Sequence, residues 1–178
     1  MTLSGKTVVV TGAAGTMGLA VVRMMLEDGA QVALVDVDAL RLDGMIRFLR
    51  GATLAVPCDV TDSGAVKQAH QQVEKVLGPV DILVNNAGIL SNDKAETTSD
   101  VEWRRVMAVN LDGAFYWSRA VLPGMKQRQW GRIINVASAH ALVASPFKSA
   151  YVAAKHGILA DCQRLRNGGH RTVGKREK

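Results

Sequence analysis

Five short apolar runs, each closed by Gly, Pro, Asp, Asn or Ser, alternate along the chain with longer stretches in which apolar residues recur every three or four positions. The runs are Thr7 to Thr11, Gln31 to Val35, Thr53 to Pro57, Val80 to Val84 and Arg132 to Ala137. Runs that are apolar throughout, not at alternate positions, predict strands covered on both faces. Between them, Met17, Val21, Met24 and Met25 predict one sheet-facing helix stripe. Val66, Ala69, Val73, Val76 and Leu77 predict a second, and Met107, Leu111, Ala114, Ser118, Leu122 and Met125 a third. Strands alternating with amphipathic helices predict an α/β fold, a doubly wound parallel sheet of Rossmann-like type, with these residues as its core. Residues 1–159 read as one domain without repeats, low complexity or a linker.

After Leu159 the pattern stops. Residues 160–178 carry scattered apolar side chains, a Gly168-Gly169 breaker, and six Lys+Arg against two Asp+Glu, net +4; residues 1–159 carry 16 against 14, net +2. The total of +6 therefore describes a basic tail over 160–178, set apart from a nearly neutral domain. Tail charge without aromatic or motif support gives no reason to expect a nucleic-acid partner. No stretch of 18 apolar residues predicts a membrane span, and Val8 to Val10 is too short a run for a signal peptide. Cys58 and Cys162 have neither metal-ligand spacing nor partners for a disulfide framework, so a reducing cytoplasmic setting and no metal are expected.

The first run leads into Thr11-Gly-Ala-Ala-Gly-Thr-Met-Gly18 and then a helix. Glycines at 12, 15 and 18 let backbone N–H groups, with those of Thr16 and Met17, close on a pyrophosphate. Asp36 ends the second run, where a carboxylate accepts from ribose hydroxyls and repels a 2′-phosphate, which favours NAD over NADP. The bland alternative is a helix N-cap, a task open equally to Asp38. Asp59, after the third run, has the same two readings, and with Val60 it would flank adenine.

The fourth run ends in Asn85-Asn86-Ala87-Gly88. Asn110 then follows within Val109-Asn110-Leu111, Ser138 after the fifth run, and Tyr151-Val-Ala-Ala-Lys155 thirteen residues beyond Ser138 (151 − 138). With these landmarks in order the chain resembles the short-chain dehydrogenase/reductase family, over roughly residues 2–159. The resemblance implies an NAD(H)-dependent oxidoreductase that passes hydride between nicotinamide and a small alcohol or carbonyl. It implies Tyr151 as the acid/base, Lys155 as the cation that lowers its pKa and holds the nicotinamide ribose, Ser138 as the anchor of the substrate oxygen, and Asn110 as part of a water-mediated proton relay. Asn86, Ala87 and Gly88 would lie along the cofactor. The bland readings are a satisfied core amide for Asn110 and a cap for Ser138. Thr16 stands where the family's common TGxxxGxG turn has glycine, and Gly15 supplies a glycine one residue earlier.

His140 and Lys148 stand two after Ser138 and three before Tyr151, as in family members that act on hydroxy acids such as 3-hydroxybutyrate. Two potential cations beside a hydride-transfer site suit an anionic substrate. Leu90 replaces the glutamine that those members place two residues after Asn-Asn-Ala-Gly, so sugars, polyols and acyl thioesters stay open as substrates. Lys148 as a solvated lysine and His140 as a structural hydrogen-bonder are the bland alternatives.

The family fold continues with two further strands and a substrate-covering loop that residues 160–178 do not resemble. The sequence thus predicts truncation after about five strands, with the break in mid-helix resembling a shifted reading frame or altered splice more than a natural short terminus. It supports either a working dehydrogenase or a catalytically inactive fragment serving as a nucleotide-binding module. Family members are usually homo-oligomers, and an uncovered fifth strand predicts that this chain is aggregation-prone.

Overall fold

The structure, a computed structural model, describes residues 2–143 and 146–167, with side chains described to residue 160. Five strands, β1 (Thr7–Thr11), β2 (Gln31–Asp36), β3 (Thr53–Pro57), β4 (Ile82–Asn85) and β5 (Arg132–Asn135), form one sheet in the order β3-β2-β1-β4-β5. Every pairing is parallel. The strand order reverses direction between β1 and β4, which opens a crevice at their carboxyl ends.

Helices cover both faces. Val8, Val10, Val32, Leu34 and Val84 point to a layer containing Val22 and Leu42, from α1 (Thr16–Glu27) and α2 (Ala39–Ile46). Val9, Ala33, Val35 and Leu83 point to Val66, Val73, Trp117 and Val121, from α3 (Ser63–Leu77) and α5 (Gly113–Gln127). Burial on both faces is why the strands read as unbroken apolar runs. β4 starts two residues later than expected, at Ile82; just before it the Asp81 carboxylate accepts from Thr7 N at 3.1 Å and the Asp81 N–H donates to Thr7 O at 2.9 Å. β5 stops at Asn135, although Val136 N still donates to Asn85 O at 2.9 Å.

The α1 stripe is corrected. Met17 and Met24 are 61% and 64% exposed, and the buried face is Gly18 and Val22, flanked by partly buried Val21 and Met25. Close approach of this helix to the turn before it runs through Gly18, a glycine, which carries no hydrophobic signal. In α3, Val66, Ala69 and Val73 are buried as expected, while Val76 faces out.

The third stripe is interrupted. α4 (Asp100–Met107) passes into a π-helical turn, Ala108–Asp112, and then into α5. A π turn inserts a residue and rotates the downstream helix face. Buried positions become Gly113, Trp117, Ser118, Val121 and Met125, and Met107, Leu111, Ala114 and Leu122 are only partly buried.

Helix α6 (Ser149–Asn167) runs past the predicted break at 160. Gln163, Arg164, Leu165 and Arg166 are good helix formers, so backbone propensity sustains the helix where apolar periodicity fades. The rest of the expected tail, from Gly168, and the side chain of Cys162 lie outside the described residues. Cys58 is buried, and desolvation together with Asp59 and Asp62 pushes its thiol up to about 11. Among the described helices none is long and apolar enough to cross a membrane.

Candidate active site

The turn between β1 and α1 is held by its neighbours. Gly12 has φ +64°, and a Cβ there would stand 2.8 Å from Ala87 Cα. The Asn86 side-chain amide donates to Thr11 O at 2.9 Å and Gly12 O at 3.1 Å, while the Thr11 hydroxyl accepts from Asn86 N and Ala87 N, both at 3.0 Å. Gly18 packs the first turn of α1 so tightly that a Cβ would overlap the Gly12 carbonyl and lie 2.8 Å from Ala13 Cα.

Gly15 differs. It caps α1 with φ −76° and ψ 163°, ordinary for any residue, and a Cβ on it would meet only Gly12 O, at 3.4 Å. Chain packing does not demand glycine there. The residue lines a cleft of about 420 Å³ with Thr16, Met17 and Gly18, at a helix N-terminus that no side chain caps.

Asp36 lines the same cleft, its Oδ2 accepting from Ala14 N at 2.9 Å and its Oδ1 from Asp38 N at 3.2 Å. Asp38, not Asp36, caps α2, accepting from Arg41 N at 2.9 Å. Beyond Asp36 a slot of about 360 Å³ runs between Asp59, Val60, Cys58 and Val109. Asp59 also accepts from Thr61 N and Oγ1, and Val60 is buried against Gly113.

At the other end the cleft is lined by Gly88, Asn110, Val136, Tyr151 and Lys155. Asn110 lies in the π turn, fully buried; its amide donates to Ile89 O at 2.9 Å and Val106 O at 3.0 Å, and its Oδ1 has no protein partner. A Cβ on Gly88 would stand 2.8 Å from that oxygen and 3.6 Å from Lys155 Nζ, so glycine lets both groups approach. Lys155 is buried, donates to Val136 O at 2.9 Å, and has its Nζ 5.8 Å from the Tyr151 ring centre. Burial lowers its pKa below the usual lysine value.

Ser138 follows Ala137, which lines the cleft, and its Oγ accepts from His140 N at 3.2 Å as the cap of a short 3-10 turn, Ala139–Ala141. His140 meets Tyr151 edge-on with ring centres 6.3 Å apart, and its Nε2 lies 3.5 Å from Lys148 Nζ. Leu90 lines the cleft half-exposed and brings no polar group. The structure therefore gathers Asn110, Tyr151 and Lys155 along the cleft, with Ser138 next to the lining Ala137 and His140 against the Tyr151 ring.

Two contributors are not among the residues that the sequence singles out. The Val136 carbonyl has no residue-type signature. Thr11 does carry one, a hydroxyl at the strand's end directly before the first glycine of the turn.

A profile of the short chain dehydrogenase family matches residues 6–172. The chain is similar to a D-beta-hydroxybutyrate dehydrogenase of Rhizobium meliloti, 44% identical over 159 residues covering 86% of this chain and 62% of that protein. It is also similar to a D-beta-hydroxybutyrate dehydrogenase of Cupriavidus necator, 40% identical over 161 residues covering 88% of this chain and 62% of that one. The apo form of LigO from Sphingobium sp. strain SYK-6 superposes with a TM-score of 0.88 at 32% identity, over 92% of this chain and 63% of LigO. The chain thus spans about 62% of the length of these curated relatives. With the profile covering nearly all of its described residues, the chain belongs to the short chain dehydrogenase family.

Proposed function

We propose that the cleft binds NAD(H) and that the chain supports hydride exchange with a small hydroxy or keto acid. The observation that carries this reading is the continuity of the cleft from Gly15 and Asp36 to Tyr151 and Lys155. A cradle that a Cβ at Gly15 would fill, at an uncapped helix N-terminus, fits a pyrophosphate. Gly12, Thr16, Met17 and Gly18 complete that cradle. Asp36 keeps lone pairs for ribose hydroxyls beyond its two backbone contacts and opposes a 2′-phosphate. Asp59 and Val60 flank the adenine end, and Asn86, Ala87 and Gly88 border the path to nicotinamide. When bound, the cofactor supplies the hydride acceptor or donor.

Tyr151 exchanges the proton of the substrate oxygen. A phenol titrates near 10 in water, so acting at neutral pH requires a neighbouring cation in a site of low dielectric. Lys155 is that cation, held in place by Val136 O. Its buried ammonium interacts more strongly with a developing phenolate than an exposed one would. Asn110 presents an unpaired buried acceptor beside Lys155 across Gly88, suited to a water in a proton relay. Ser138, His140 and Lys148 form the substrate side, where the basic pair suits a carboxylate.

A second reading, cofactor binding without turnover, draws on Ser138, whose Oγ is engaged by His140 N in a capping bond. An assay of NAD⁺ reduction with D-3-hydroxybutyrate, beside a polyol control, separates the two. Turnover on the hydroxy acid alone supports the first; tight NADH binding with no turnover on either supports the second.

A further inference from the structure

The slot beyond Asp36 has an apolar floor, Cys58, Val60 and Val109, and a rim of two carboxylates, Asp36 and Asp59. Among the described residues that line it, Arg105 alone is cationic. Its Nε and Nη2 donate to the two carboxylate oxygens of Glu102 at 2.7 and 2.8 Å, one helical turn back on α4. The fork-on-fork pairing orients the guanidinium plane and sets a compensating negative charge beside it. Nη1 takes no part in the pair, and the flat face is left without a covering partner in it.

We propose, resting on the NAD(H) reading above, that Arg105 is a specificity-determining residue that forms a shelf for the adenine ring, with Glu102 keeping it from serving as a phosphate hook. A flat, charge-paired guanidinium has a surface for a purine, which has a π face, and a diminished pull on a dianion. Glu102 and Asp36 thereby act on the same choice. Asp36 repels a 2′-phosphate, and Glu102 occupies the cation that would otherwise attract one.

The test is fluorescence titration of the full 178-residue chain and its Arg105→Ala, Arg105→Lys and Glu102→Gln variants, with folding checked by circular dichroism. The probes are NADH, NADPH, and NMNH, the reduced mononucleotide that lacks adenosine. Arg105→Ala is expected to weaken NADH about fivefold while leaving NMNH unchanged, and Arg105→Lys to restore little of the loss, because an ammonium has no plane. Glu102→Gln, which frees the guanidinium, is expected to raise NADPH affinity relative to NADH about fivefold or more. Unchanged NADH binding by Arg105→Ala, or an equal loss for NADH and NMNH, overturns the shelf. An unchanged NADPH to NADH ratio in Glu102→Gln overturns the role given to that carboxylate. A wild-type chain that binds none of the three defeats the NAD(H) reading itself; one that binds NADH while Arg105→Ala binds it equally well defeats only the role of Arg105.

Discussion

The Lys155 ammonium is buried and donates to the Val136 carbonyl at 2.9 Å, which ties α6 to the chain just past β5. Burial lowers its pKa from an ordinary 10.5. Between the lowered value and 10.5 the unfolded chain binds more protons than the folded one, so this lysine makes stability rise with pH and fall as pH drops through that window. The stability of wild type relative to Lys155→Met is therefore predicted to increase as pH climbs from neutral toward about 10. Urea unfolding across that range reads it directly, and a difference that stays flat or narrows would contradict the buried, desolvated ammonium.

The glycines of the first turn divide into two kinds. Gly18→Ala forces a Cβ onto the Gly12 carbonyl and should cost about 1–3 kcal/mol of stability or more. Gly15→Ala meets nothing closer than ordinary contact within the chain and should cost less than about 1 kcal/mol, from its N-cap position alone. Its effect should fall on NADH affinity. Thermal melts with and without NADH distinguish them: a Gly15→Ala chain as unstable as Gly18→Ala, or one stabilised by NADH as fully as wild type, would count against the cradle.

Tyr151→Phe removes a transferable proton and little else. If the wild-type chain turns over, the variant should lose about 100-fold or more in rate while NADH affinity is largely retained. Near-normal turnover by this variant would remove Tyr151 from the acid/base role.

Edge strand β5 presents Ile134 at 45% exposure, with no described strand beyond it. An exposed apolar residue on an edge strand favours association, and a charge there blunts it. Ile134→Lys should raise the monomer fraction in size-exclusion chromatography. A wild-type chain already monomeric at high concentration would show that the edge is covered.

The strands are legible in the sequence because burial on both faces writes itself as an unbroken apolar run, as Val8, Val9 and Val10 show. Helix faces are less so. The buried face of α1 includes Gly18, packed on the Gly12–Ala13 turn and invisible to hydrophobic periodicity, while Met17 and Met24 carry the apolar signal outward. The π turn at Asn110 rotates the later stripe by a residue that no local composition announces. Of the candidate site, residue-type patterns point to Asn110, Tyr151 and Lys155, which the fold gathers along the cleft. The contacts that position them do not show, because the Val136 carbonyl and the Ile89 carbonyl are backbone atoms common to every sequence. Arg105 is hidden for another reason: an Arg three residues after a Glu on a helix reads as a solvated surface pair, and only the fold turns it toward the slot.

Whether the cleft is a dinucleotide site read by Asp36 is tested most directly by parallel titration of the wild-type chain with NADH and NADPH. On the reading proposed above, NADH is predicted to bind more tightly, because a carboxylate at the end of β2 accepts from ribose hydroxyls and repels a 2′-phosphate, and Val37, its neighbour, supplies no cation. Equal or tighter binding of NADPH would contradict the role of Asp36, and binding of neither would contradict the site itself.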